Sequence, residues 1–161
     1  MRIHLKKGRD GPASLTCIRR DGTRTWARER DFFPLHDVTH YAVESVLGFD
    51  EAFLGLIAAG WYLEHLARPG AAARLPFQAR VTEQMVGLLD RERSTPERWT
   101  VAGLNEVLQT VLAPADRTRL APLTEAQLHA IRELRSRLES RWHALAQGES
   151  LDLGFPEPAS G

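Results

Sequence analysis

The chain has 161 residues, with 21 basic and 21 acidic side chains and a formal net charge of zero; 43% of it is hydrophobic and 26% charged. That is the size and make-up of one ordinary globular domain, not of a disordered chain. No apolar run approaches the roughly 20 residues that cross a bilayer, and the opening MRIHLKKGRDG lacks a signal peptide's apolar stretch, so a cytoplasmic protein with no membrane partner is expected. The single cysteine, Cys17, excludes an internal disulfide and any cysteine-cluster metal site.

The balanced charge conceals a division. Residues 1–30 carry nine basic and three acidic side chains, a net +6, which leaves −6 for the remainder. Basic segments can bind nucleic acid or other polyanions. Only two of the 21 basic residues are lysine, however, and alanine is abundant, the bias of a GC-rich coding sequence.

The basic segment reads as β structure. In LTCIRRDGTRTWAR, Asp21-Gly22 predicts a two-residue hairpin turn that sets Arg20 opposite Thr23, Ile18 opposite Thr25 and Cys17 opposite Trp26. Leu15, Cys17 and Trp26 would then share a core-facing side. Residues 2–6 add a third strand, with Ile3 and Leu5 on one face and His4 on the exposed one. From Pro34 the period becomes helical. A first helix spans about 35–47 and ends at Gly48, and a second, capped by Asp50, spans about 51–67 and closes at Pro69-Gly70. A third covers about 77–92. Thr95-Pro96-Glu97 is a helix-start signal, with a restart at Trp99-Thr100 as the alternative, and a Thr124…Gln127 capping box opens a long helix to about Ala146. The tail beyond Gly148 reads as an extended arm. The expected fold is α+β, mainly α: an N-terminal β-hairpin or three-stranded meander followed by a bundle of about five helices, in a single domain.

Helix phase separates the six histidines. His129 and His143 lie opposite the long helix's apolar stripe, on a solvated face. At 100° per residue, His36, His40 and Glu44 fall within about 80° of one another on the first helix, with Asp37 beside them. Imidazoles at i and i+4 can grip one ion, and neighbouring carboxylates suit a third ligand or an imidazole-orienting role. A helix with polar N-terminal residues is the bland alternative. Glu64 adds weight, because it lies within the second helix's inward stripe (Phe53, Leu56, Ile57, Gly60, Leu63, Ala67), where a carboxylate is costly unless paired or metal-bound. A short connection makes the two helices nearly antiparallel, which brings Glu64 level with His36 and His40. An ion pair with an arginine would also explain Glu64. His36 and Glu44 are about 12 Å apart along the axis, so the core metal set is His36, His40 and Glu64. Glu44 is then a fourth ligand or general base, Asp37 an orienting carboxylate, and His65 and Glu51 are marginal candidates. Three ligands and an open water position make a catalytic-type site; zinc fits best, with iron, manganese or nickel also compatible.

His36-Asp37-x-x-His40 resembles the HDxxH signature of the accessory protein family of ubiquinone biosynthesis, which implies a metal held with a downstream glutamate. After that family's eleven-residue interval the expected position is Ala52, with Glu51 one residue short. The same pair resembles that of HD-type phosphohydrolases, which also need an earlier helical histidine, whereas His4 lies on a strand. The stretch FFPLHDVTHYAVESVLGF is similar to small uncharacterised bacterial proteins. No dinucleotide fingerprint, P-loop or nucleophile elbow is present, and neither Ser45 nor Cys17 has an evident base.

Two functions follow. One is a metal-binding helical protein, a metal-dependent hydrolase acting on a small-molecule substrate or ligand. The other is a non-enzymatic interaction or regulatory protein whose basic hairpin meets an acidic partner or nucleic acid. A small-ligand carrier with a cavity between the first two helices is a third reading, and homo-oligomerisation is left open.

Overall fold

Alternating apolar residues and a helical period starting near Pro34 lead to four strands and seven helices in the computed structural model, which describes residues 1–29, 33–66, 70 and 74–158. Strands β1 (Arg2–Lys6), β2 (Ala13–Ile18) and β3 (Arg24–Glu29) form the expected antiparallel meander. A fourth strand, β4 (Ser150–Gly154), pairs antiparallel with β1 and makes the order β3-β2-β1-β4. The C-terminal tail is therefore not a free arm. Leu151 and Phe155 are buried, Phe155 N–H donates to the Met1 carbonyl at 2.8 Å, and Tyr41 Oη donates to the Gly154 carbonyl.

The hairpin register departs from expectation by one residue. Cys17 faces Thr25 and Thr16 faces Trp26. Arg19 N–H donates to Thr23 O, and Gly22 N–H to Arg19 O, so the loop holds three residues, Arg20 to Gly22, rather than two. Asp21 favours it by accepting from the Thr23 N–H and hydroxyl. Because side chains alternate, the slip moves Trp26 to the outer face, where it is 60% exposed, while Leu15 and Cys17 stay fully buried as expected.

Helix α1 (Phe33–Leu47) lies between two apolar clusters. One joins Val38 to the inner sheet face and to α2 (Phe53–Ala58), α3 (Leu63–Leu66) and α7 (Glu125–Ala144). The other joins Ala42 and Val43 to α4 (Phe77–Arg91), α5 (Val101–Val111) and α7. A short α6 (Pro114–Arg117) follows α5. Thr100 caps α5, and Thr124 and Gln127 make the expected capping box on α7. Among the described residues, no helix is long and apolar enough to cross a membrane.

The second expected helix is two helices. The chain turns at Gly60, whose φ of 107° no helix accommodates and which glycine adopts without strain. Buried Arg19, reaching from the hairpin, donates to the carbonyl of Ile57, which also accepts the Gly60 N–H, and to that of Trp61 just past the turn, so the break is braced from the sheet. Thr25 of β3 then accepts the Leu63 N–H at the start of α3. The N-terminus of α2 is likewise held from outside. Asp50 does not cap it; Glu44 of α1 accepts from the N–H groups of Leu54 (2.9 Å) and Gly55 (3.1 Å). Ala67 and Pro69 lie outside the described residues, as does Arg30 at the end of the basic segment.

Candidate metal centre

Helices α1 and α4 run antiparallel along the site, so that His36 meets Asp90 and His40 meets Glu83. His36 Nδ1 is 2.8 Å from Asp90 Oδ2, and His40 Nδ1 is 3.3 Å from Glu44 Oε1. Each imidazole thus has its Nδ1 against a carboxylate. Their Nε2 atoms face each other at 3.2 Å, with Glu83 Oε1 3.4 Å from that of His40. One ligand atom from each of His36, His40 and Glu83 lies within 4.8 Å of the other two, a group that could hold a metal ion. Bonds of about 2.0–2.1 Å at tetrahedral angles put adjacent ligand atoms about 3.3 Å apart, which matches both of the shorter separations.

Burial grades the cluster. The side chains of His40 and Glu44 are 2% and 0% exposed, whereas that of Glu83 is 45% exposed and faces the opening. Burial pushes the His40 imidazole down to about 4, against the opposing charge of Glu83. It pushes the Glu44 carboxyl up to about 8, outweighing the hydrogen bonds from Gly55 and Leu54. Near neutrality His40 is therefore neutral and Glu44 protonated. One set of protons then satisfies the whole row: Glu44 donates to His40 Nδ1, His40 Nε2–H to His36 Nε2, and His36 Nδ1–H to Asp90.

Asp90 ends that row as a carboxylate. Burial works to raise it, but hydrogen bonds from His36 and Thr39 and the charge of Arg93 together hold it below the usual range. Thr39 Oγ1 donates to Asp90 Oδ1 at 2.7 Å and Arg93 donates to the same oxygen at 2.6 Å. Arg93 also binds the Leu35 carbonyl on α1 and Glu139 on α7. The imidazole row is thereby tied to three helices.

The Nε2 side opens into a cavity of about 500 Å³ between β3, α1, α2, α3 and α4. His36, Asp37, His40 and Glu83 form its polar end. Trp26, Ala27, Phe53, Leu56, Leu63, Leu66, Leu75 and Ala79 form most of the rest, with Arg28 and Glu64 also on the lining.

The expected site residues divide accordingly. His36 and His40 converge, Asp37 lines the same cavity, and Glu44 sits behind His40 on its Nδ1 side. Glu44 has one oxygen against His40 and the other on two backbone N–H groups, so it does not reach the Nε2 atoms. Glu64 reaches the cavity but not the ligand group. The turn at Gly60 carries it onto α3, where its side chain is 74% exposed and 3.6 Å from His65. Its place is taken by Glu83. His65 packs against Tyr62, and Glu51 is exposed, its N–H bonded to Gln78. Glu83, Asp90 and Arg93 were missed. Glu83 and Asp90 lie seven residues apart, two turns along one face of α4, and that spacing was the available signal. His129 and His143 are exposed, as their phase implied. Compared with protein-family models, with curated proteins and with solved structures, the chain matches none.

Proposed function

We propose that this chain binds one divalent cation through His36, His40 and Glu83 and uses it for hydrolysis. The single observation that carries the reading is the disposition of the imidazoles, each with Nδ1 on a carboxylate and Nε2 turned to a shared point at a cavity wall. Histidine ligands in metal sites donate Nδ1–H to such carboxylates. A bound cation would displace the proton from His40 Nε2 and draw the Glu44 proton onto His40 Nδ1, leaving both Nε2 atoms free to coordinate with one proton released. The His/His/Glu donor set suits zinc first, with iron, manganese and nickel sharing it. Three protein ligands leave a position for water, whose proton such a cation loosens toward neutral pH. Glu44 and Asp90 act as positioning residues, and Asp37 is the remaining buried carboxylate on the reacting side.

Elemental analysis of protein purified without a histidine tag tests this. One metal per chain is expected, lost in His40→Ala and in Glu83→Ala but kept in Glu64→Ala. Asp90→Asn keeps all three ligands and should bind about 10- to 100-fold more weakly. Absence of metal from the wild type, or its loss only in Glu64→Ala, overturns the assignment.

A second reading rests on the outer sheet face. Alternation puts Arg2, His4, Lys6, Arg24, Trp26 and Arg28 there, with Asp152 as the carboxylate, 2.7 Å from His4. Exposed cations flanking an exposed indole suit single-stranded nucleic acid, by phosphate attraction and base stacking. Binding of a labelled oligonucleotide should weaken steeply with salt and be lost in Trp26→Ala/Arg28→Ala. Salt-independent binding, or none, would sink it.

A further inference from the structure

The metal reading leaves the character of the substrate open, and the cavity wall opposite the imidazoles speaks to it. Leu56, Leu63 and Ala79 are all nearly buried although they line open space, so they face an inward recess rather than a surface groove. Phe53 stacks obliquely on His40 with ring centroids 5.0 Å apart, and so joins the apolar wall to the candidate ligands. Trp26, displaced outward by the hairpin register, stands on the lining with most of its surface exposed. The volume, about 500 Å³, falls within the roughly 300–1,000 Å³ of small-molecule sites. His36, His40 and Glu83 cluster at one place on the lining, and Arg28 and Glu64 are its other charged residues beside Asp37. A ligand that was polar throughout would leave the part lying against Phe53, Leu56 and Leu63 without partners, whereas an apolar group there would release water from apolar walls.

We infer that the cavity takes small molecules with two unlike ends: an uncharged aromatic or branched alkyl group against Phe53, Leu56 and Leu63, and a polar, cation-binding group at His36, His40 and Glu83. The placing of the polar end rests on the metal reading; the apolar recess does not. Binding should strengthen as apolar carbons are added, by about fourfold per methylene, the equivalent of about 0.8 kcal/mol, until the recess is full. Enlarging Ala79 removes that gain by filling the recess, and shortening Trp26 removes part of the wall without disturbing the core.

Hydroxamates supply a test, because a common metal-binding end can carry tails of different size. Titrated calorimetrically into the zinc-loaded protein, benzohydroxamate should bind at least tenfold more tightly than acetohydroxamate. Ala79→Phe should abolish that preference while leaving acetohydroxamate within threefold of wild type. Trp26→Ala, at an exposed position, should cut benzohydroxamate affinity several-fold and serves if Ala79→Phe does not fold. Metal-free protein titrated with 2-phenylethanol separates the two claims, since saturable binding lost in these variants needs no ion. Equal affinity for both hydroxamates overturns the apolar recess while the metal reading stands. Failure of zinc to bind, with 2-phenylethanol binding intact, overturns the metal reading and keeps the recess. No binding of 2-phenylethanol and no preference between hydroxamates overturns the inference.

Discussion

At the scale of single residues, charge is held inside this protein by partners supplied from other helices. Glu92, at the end of α4, has a side chain 1% exposed and meets Arg132 and Arg135 of α7, the latter at 3.1 Å, while accepting the Trp99 N–H at 3.0 Å. Burial works to raise its pKa, but Arg132, Trp99 and Arg135 together bring it below the ordinary 4.5. A carboxyl whose folded value is depressed contributes stability above its unfolded value, and that contribution is lost as pH falls through the folded one. The melting temperature of the wild type should therefore drop below pH 4.5, and Glu92→Gln, less stable at neutral pH, should drop less steeply over that interval. An unchanged slope would show that other carboxylates dominate acid unfolding. The same scale explains what was legible in the candidate site. His36 and His40 belong to one helix, so a fixed 100° per residue brings them together whatever surrounds them. Glu83 and Asp90 reach them only because α4 packs antiparallel alongside α1.

At the scale of elements, the α2–α3 break is the feature that redirected the site. A continuous helix over 51–67 would have kept Glu64 on the inward stripe; the actual chain turns at Gly60, where Arg19 and Thr25 of the hairpin hydrogen-bond the backbone on either side of the turn. The start of α2 is just as dependent on its surroundings. Gly55 lies against the Asp50 backbone so closely that a Cβ would sit 2.2 Å from the Asp50 carbonyl oxygen. Gly55→Ala must push the 50–52 segment away, loosening the Glu44 carboxyl that accepts the Gly55 N–H. A loss of about 1–3 kcal/mol is expected from such overpacking. Urea unfolding measures it, and a midpoint equal to that of the wild type would mean the segment moves freely. Individual helices were readable where caps are local, as in the Thr124–Gln127 box, and misread where the cap comes from another element.

At the scale of the molecule, β4 closes the sheet beside β1 and carries Leu151 and Phe155 into the first apolar cluster. Removing residues 149–161 would expose the β1 edge and withdraw two buried side chains, each worth about 1.5–3 kcal/mol. That is a large share of a typical domain's 5–15 kcal/mol, so the truncated chain should melt well below the full one and self-associate on gel filtration. A monomer of unchanged melting temperature would contradict the role given to β4. The amino-acid sequence by itself determined the α+β class, the meander, the capped helices and the His36–His40 pair. All of these follow from periods and caps acting over a few neighbouring residues. Tertiary structure alone decided the hairpin's register, the break before Glu64, the pairing of the C-terminal tail, and the arrival of Glu83 and Asp90 at the imidazoles. Those depend on which distant backbone and side-chain groups meet inside the core; the spacing of Glu83 and Asp90 marks one face of α4 but not the helix that this face meets.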